Sequence, residues 1–138
     1  MTRLWMLDTN TISYIVRGKS PAARAQLYKL RGDEVGCISA ITEAELRYGT
    51  AKRAPGVARV AALNVLFEKL QILPWGSDEA IIYGDLRAKL ERAGKVLGNL
   101  DMLIAAHAIS ANATLVTRDK TFSQVEDMRP PVNWAVDL

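Results

Sequence analysis

The sequence predicts an α/β fold in which a parallel β-sheet of about five strands is sandwiched between α-helices. Three observations favour this class: strand-like runs alternate with helical stretches, each strand-like run is apolar along most of its length, and turn residues separate the segments. No internal repeat, low-complexity tract or long linker divides the 138 residues. We therefore expect a single domain covering residues 1–138, large enough to bury about two-thirds of its unfolded surface.

The predicted strands are short runs rich in aliphatic, β-branched and aromatic residues, bounded by polar or turn residues. Helical stretches separate most of them, so neighbouring strands should be parallel, with the binding crevice beyond their carboxyl ends. The five runs are 3–7, 34–38, 70–73, 113–117 and 132–136.

The predicted helices are marked by amphipathic spacing and by capping residues. Gly18 is suited to end the first helix, while Ser20 as N-cap and Pro21 at the first helical position open the second. Pro55–Gly56 predicts a loop, and Ser77 is expected to cap a helix with acids in its first turn and bases in its last. The helical stretches are 11–18, 20–30, 40–53, 57–70, 77–94 and 101–112.

Composition excludes several classes of protein. The one cysteine, Cys37, cannot form an internal disulfide, and with His107 as the one histidine a structural zinc site has too few soft ligands. No run is long and apolar enough to span a membrane, and no signal peptide is recognisable, so we expect a cytoplasmic protein without a membrane partner. The net charge of +3 is in the direction of a nucleic-acid binder, but basic runs such as 86–95 are better explained as solvated helix faces.

Two aspartates follow predicted strands directly. Asp8 comes after "LWML" and Asp119 after "ATLVT" and Arg118, so both should lie at the carboxyl edge of the sheet. Each has an alternative role, because Asp8 or Asn10 could cap the helix that follows and Asp119 could begin a turn or helix.

Two further acids lie near helix starts. Glu45 shares a helical stripe with Ile41, Ala44 and Tyr48, which predicts a carboxylate in line with inward-packing residues. A capping box from Thr42 to Glu45 is the alternative, although Ser39 is the earlier cap candidate.

Asp101 lies in the first turn of its helix, with Asn99 as the expected cap, and heads a face continued by Ile104, Ala105 and Ala108. Interaction with the helix dipole, worth about 0.3–1 kcal/mol, would by itself explain an aspartate there. Four acids can share one crevice only if their repulsion is cancelled, and hard divalent cations with oxygen ligands do this in metal-dependent nucleases.

Together these residues resemble PIN-domain ribonucleases of the VapC toxin type, from bacterial or archaeal toxin–antitoxin pairs. The resemblance covers nearly the whole chain, through "MLDTNTIS", "ISAITEAELRYG", "GNLDMLIAAHA" and "LVTRDKTFSQV" followed by "VNW". It implies that four acids are catalytic metal ligands and that two polar residues support them. The ligands are Asp8, Glu45, Asp101 and Asp119, and the supporting residues are Asn10 and Thr117.

The resemblance further implies Mg²⁺- or Mn²⁺-dependent hydrolysis of RNA, of tRNA or another structured RNA, leaving a 5′-phosphate and a 3′-hydroxyl and inhibiting translation and growth. It implies a homodimer and a VapB-type antitoxin that forms a higher assembly with it and alone contacts operator DNA. The chain departs from the family pattern at Thr121, where a histidine is usual, and at Asp127, where a glycine is usual. His107 is expected to be structural or a rim contact.

Two rival functions follow from the same residues. A haloacid-dehalogenase-like phosphotransferase also places an aspartate after its first strand, but it needs a second acid two residues later, where this chain has Asn10. An inactive RNA-binding or protein-interaction module would retain the fold, and RNA binding unaffected by EDTA without any cleavage would distinguish it from a nuclease.

Overall fold

The computed structural model describes residues 1–53 and 56–138 and confirms the α/β class. Pro55 of the predicted loop lies outside the described residues, whereas Gly56 is the N-cap of the next helix. The strands are β1 (Arg3–Leu7), β2 (Glu34–Ser39), β3 (Gln71–Leu73) and β4 (Thr114–Val116). The helices are α1 (Thr9–Val16), α2 (Pro21–Lys29), α3 (Ala40–Arg53), α4 (Val57–Lys69), α5 (Ser77–Arg92) and α6 (Asn99–Ser110), followed by a short 3₁₀ helix (Lys120–Gln124).

The strands form one parallel sheet in the order β3-β2-β1-β4. The chain therefore leaves β1 towards β2 on one side, whereas β4 pairs with β1 on the other. In open parallel sheets the crevice for a ligand lies at such a reversal, beyond the carboxyl ends of the two strands. The strand order thus predicts a ligand crevice beyond the carboxyl ends of β1 and β4.

The fifth predicted strand is reduced to one bridge between Val116 and Val132 in the described part of the chain. The Val132 N–H donates to the Leu115 carbonyl at 3.0 Å, but the chain reaches this point through two prolines, which have no N–H to donate. Beyond the bridge, the Asn133 side chain accepts from the Ala135 N–H at 2.9 Å and turns the chain away. The sheet consequently has four strands among the described residues rather than five.

A hydrophobic core lies on each face of the sheet, as the sandwich prediction required. Successive side chains of each strand point to opposite faces of the sheet, so Met6 of β1 packs in one core and Leu7 in the other. The first core contains side chains of α5 and α6, and the second contains side chains of α1, α2 and α4. The paired strand residues are Cys37 and Ile38 in β2 and Leu115 and Val116 in β4.

The helix caps agree with the sequence in part. Ser20 accepts from the Ala23 N–H at 3.1 Å and Gly18 adopts a φ of +69°, as expected. Ser77 is the first helical residue rather than the cap, because Gly76 takes the extended N-cap conformation and the Glu79 carboxylate accepts from its N–H at 2.8 Å. None of the helices in the described ranges is long and apolar enough to cross a membrane.

Candidate active site

Asp8 joins the end of β1 to the start of α1. Its N–H donates to the Val116 carbonyl of β4 at 3.0 Å, and its Oδ1 accepts from the Thr11 N–H at 2.8 Å as the N-cap of α1. The side chain is buried. Capping and placement at the carboxyl edge, two alternatives in the sequence, are therefore both true of Asp8.

Thr117 links the two strand-end aspartates. Its hydroxyl donates to Asp8 Oδ2 at 2.5 Å and accepts from the Asp119 N–H at 2.9 Å. Asp119 in turn caps the 3₁₀ helix, with its Oδ1 accepting from the Thr121 N–H at 2.9 Å and the Thr121 hydroxyl at 2.7 Å. Thr121, a departure from the family pattern, thus orients a predicted ligand.

Glu45 reaches the same edge from α3. Its Oε1 accepts a hydrogen bond of 2.7 Å from the Thr9 hydroxyl at the start of α1. The expected inward stripe around it is wrong, because Ala44 is exposed and Tyr48 is 65% exposed, and Thr42 is the buried residue of the helix.

The reason is the position of α3, which contacts α1 from one face of the sheet and α6 from the other. Its apolar side chains are divided between the two cores, with Ile41 packed against the first and Leu46 against the second. Ser39, not Thr42, supplies the side-chain hydrogen bond at the helix start, accepting from the Ile41 N–H at 3.1 Å.

Asp101 lies in the first turn of α6. The cap is Gly98 rather than the expected Asn99, and a Cβ at Gly98 would lie in ordinary van der Waals contact with Asp101 Oδ2, at 3.5 Å. Ile104 and the small residues that continue its face are buried, as predicted. Asp101 itself is half-buried at the edge of the sheet.

All four acids line one cavity of about 100 Å³ at the carboxyl edge of the sheet, with Ile104 and Phe122 among its apolar walls. Burial raises the pKa of Asp8, against hydrogen bonds from Thr117 and Thr11 that lower it. Burial also raises the pKa of Asp101, and the charges of Asp119, Glu45 and Asp8 raise it further. Mutual repulsion shows that the four carboxylates occupy one electrostatic environment.

The donor set consists of carboxylate oxygens, which hard divalent cations prefer. None of the salt bridges among the described residues involves these four acids. Among the described residues, no three His, Cys, Asp or Glu side chains lie close enough together to hold a metal ion. The four acids thus line one cavity and influence one another's charge without being grouped at metal-binding distance.

The remaining predicted residues fall into two places. Asn10 is exposed and lines the cavity beside the acids. His107 is buried, with its Nδ1 2.7 Å from the Ser39 hydroxyl, and is absent from the cavity lining, so it is structural. Burial lowers the pKa of His107, although the charge of Glu79 opposes this.

Comparison with known proteins identifies the family. The PIN domain family model matches residues 5–128. The chain is 35% identical over 126 residues to ribonuclease VapC2 of Rickettsia felis, covering 91% of this chain and 94% of that protein. This chain belongs to the VapC ribonucleases of the PIN-domain family.

Further relatives support this membership of the VapC family. The tRNA(fMet)-specific endonuclease VapC of Salmonella typhimurium is 32% identical, covering 91% of this chain and 94% of that protein. The fold matches the crystal structure of VapBC2 from Rickettsia felis bound to a DNA fragment from their promoter, with a TM-score of 0.88, 34% identity and coverage of 95% of this chain and 98% of that one. As a VapC ribonuclease, the chain is an enzyme, and the phosphotransferase alternative is excluded.

Two residues of this VapC site were not assigned a role from the sequence. Thr9 anchors Glu45, and Thr11 both donates its N–H to Asp8 and directs its hydroxyl towards the Val116 carbonyl at 3.3 Å. The run of Thr9, Asn10 and Thr11 after a strand-end aspartate is a local signal for Thr11 as the partner of a capping Asp8. No local signal identifies Thr9, because its partner lies 36 residues away.

Proposed function

We propose that this protein is the toxin of a toxin–antitoxin pair and cleaves tRNA or another structured RNA in a reaction that depends on Mg²⁺ or Mn²⁺. The observation that carries the proposal is the convergence of Asp8, Glu45, Asp101 and Asp119 on one cavity from four different elements. The tRNA specificity of the Salmonella typhimurium relative supports RNA of this class as the substrate.

The chemistry of the cavity suits a divalent cation, because its four acids supply carboxylate oxygens. Asp8, Asp101 and Asp119 would hold it, because burial and mutual repulsion raise the pKa of Asp8 and Asp101 and a cation relieves both. When bound, such an ion neutralises charge on the scissile phosphate and lowers the pKa of water at the site.

The chain's own groups then position the reactants. Glu45 is held through Oε1 by Thr9, which leaves its Oε2 to accept a proton from the attacking water. Thr117 holds Asp8 and Asp119 together through its two hydrogen bonds, and Asn10 is placed to contact the RNA at the cavity rim. Water attacks phosphorus, the bond to the 3′-oxygen breaks and that oxygen takes up a proton from solvent, so the products carry a 5′-phosphate and a 3′-hydroxyl.

Primer extension on total bacterial RNA incubated with the purified protein tests the proposal. We expect discrete cuts with Mg²⁺, none with EDTA, and none with Asp101→Asn. Asp33→Asn is the matched control, because Asp33 is exposed and precedes β2 at the opposite edge of the sheet. Cuts that persist in Asp101→Asn would remove Asp101 from the site, and RNA binding without cleavage under any divalent ion would leave an inactive binding module.

Thermal unfolding tests the metal independently of cleavage. An ion present at a hundredfold its Kd stabilises the folded state by about 2.7 kcal/mol, which raises the Tm by roughly 5–10 °C for a chain of this size. We expect this shift with Mg²⁺ for the wild type and a much smaller one for Asp8→Asn/Asp119→Asn. An equal shift in both proteins would mean that the ion acts nonspecifically.

The proposed partners are a VapB-type antitoxin, through which alone operator DNA is contacted, and a second copy of this chain. The promoter DNA in the Rickettsia felis VapBC2 structure supports the first. Light scattering should give twice 15.2 kDa for the chain alone and a larger assembly with antitoxin. Expression without antitoxin should arrest growth and Asp101→Asn should restore it, whereas harmless soluble wild-type protein would contradict the toxin role.

A further inference from the structure

A second and larger cavity adjoins the acids. It has a volume of about 330 Å³, and Thr9, Asn10 and Glu45 line both it and the acidic cavity. Its other walls come from α1, α3 and α4, and we call it the arginine pocket. The residues that characterise it are Tyr14, Arg17, Leu46, Arg53, Arg59 and Leu63.

The charge of the arginine pocket is opposite to that of the acidic cavity. Arg17, Arg53 and Arg59 are exposed, and none of them takes part in the salt bridges found among the described residues. Exposed guanidinium groups from three separate segments, without carboxylate partners there, form a site suited to phosphate.

The interior of the pocket also has an apolar part. Leu63 is buried, while Leu46 and Tyr14 are half-buried, and the Arg118 guanidinium carbon lies 5.8 Å from the Tyr14 ring centroid. Nucleic-acid bases stack on such aromatic and guanidinium surfaces. The volume is at the lower end of the range for small-molecule pockets, which is appropriate for one nucleotide.

We propose that the arginine pocket binds the RNA strand next to the scissile phosphate, with a neighbouring nucleotide inside and its phosphate on Arg17 and Arg59. The wall shared with the acidic cavity gives the strand a continuous path from the arginines to Glu45. This inference rests on the proposed function, since RNA is the ligand of both cavities. It makes the pocket a determinant of which RNA position is cut.

Gly49 provides a way to test the pocket without weakening the fold. It lies within α3, lines the pocket, and an added Cβ would meet no atom within 4 Å. Gly49→Leu would therefore extend a side chain into open pocket space while improving helix propensity. Gly84→Leu in α5 is the matched control, because Gly84 is also a helical glycine with nothing within 4 Å of an added Cβ, and it is exposed and outside the pocket.

The arginines are tested with Arg17→Gln/Arg59→Gln. Its control, Lys29→Gln/Arg31→Gln, removes the same charge from exposed residues that precede β2, at the amino edge of the sheet. The probe is a fluorescein-labelled RNA of ten random nucleotides, and anisotropy is measured from 25 to 200 mM KCl in EDTA with every protein carrying Asp101→Asn. Binding is thereby separated from metal and from cleavage.

We expect Arg17→Gln/Arg59→Gln to reduce the slope of log K against log salt by about 1.4, from two lost phosphate contacts at about 0.7 each. Gly49→Leu should weaken binding at least about fivefold, as for the loss of one stacked base, and both controls should match the parent. Slopes and affinities equal to those of the controls would overturn the proposal. The proposal would be overturned in the same way if these variants kept their RNA affinity and lost affinity for an antitoxin instead. Cleavage with Mg²⁺ in proteins that retain Asp101 is measured in parallel, so absence of all cleavage would count against the proposed function alone.

Discussion

Replacing Thr117 with valine should show how strongly one hydroxyl supports the acidic cavity. Valine keeps the shape of threonine but removes the donor to Asp8 Oδ2 and the acceptor for the Asp119 N–H. A hydrogen bond to a charged group contributes about 1.5–3 kcal/mol, and the unpaired N–H adds about 1 kcal/mol. The free energy of unfolding should therefore fall by about 2.5–4 kcal/mol at pH 7, which lowers the urea midpoint by roughly 1–2 M.

The pH dependence of this loss identifies its cause. Burial already raises the pKa of Asp8, and the Thr117 hydroxyl is the largest influence that lowers it, so Thr117→Val should raise that pKa further. The cost of the variant is then greatest where Asp8 is ionised and decreases as the pH falls towards 4 and Asp8 takes up a proton. Urea unfolding of the wild type, Thr117→Val and Thr117→Ser at pH 7 and pH 4 measures this, with serine losing only a methyl group worth about 1 kcal/mol. A valine variant as stable as the serine variant, or a deficit independent of pH, would refute the reasoning.

Three further predictions concern the metal-free protein, two on its stability and one on the accessibility of its thiol. Asp101→Asn should raise the Tm at pH 7, because the folded-state pKa of Asp101 is raised and its ionised form therefore destabilises the fold. The gain in Tm should vanish in thermal scans at lower pH, and a lower Tm at pH 7 would contradict the prediction. His107 has a folded-state pKa below its ordinary 6.5, so the stability contributed by its neutral form is complete above pH 6.5 and should decline as the pH falls below 6.5. Titration of the imidazole by NMR checks this, and a folded-state pKa at or above 6.5 would be incompatible with the prediction. Burial raises the pKa of Cys37 to about 12, so a thiol reagent at pH 8 should modify it at the rate of unfolding, and rapid modification of the folded protein would show that it is accessible.

Much of the local structure around the site was predictable because its causes are local. The apolar run before Asp8 formed a strand, and Gly18, Ser20 and Pro21 ended one helix and began the next as expected. The two failures of capping, at Ser77 and Asn99, each displaced the cap by one residue onto a preceding glycine. Glycine takes the extended N-cap conformation easily, so a nearby polar residue does not guarantee the cap.

Helical periodicity was a poorer guide for Glu45 than for Asp101. The face below Asp101 is buried because α6 packs into one core, whereas α3 divides its apolar residues between both cores and leaves Tyr48 exposed. Both acids nevertheless line the same cavity. Periodicity describes one face of a helix, and it does not specify what that face meets.

The sequence by itself determined the residue types and the ends of the elements: carboxylates after two strands, acids near two helix starts, and a donor set of oxygens. Tertiary structure alone decided that β4 lies beside β1, that Thr117 joins Asp8 to Asp119, and that Thr9 holds Glu45. It also decided that arginines from separate segments surround a cavity next to the acids. The physical reason is sequence separation: caps and turns are set by neighbours along the chain, whereas Thr117 and Asp8 are 109 residues apart and meet only because the sheet order makes their strands adjacent.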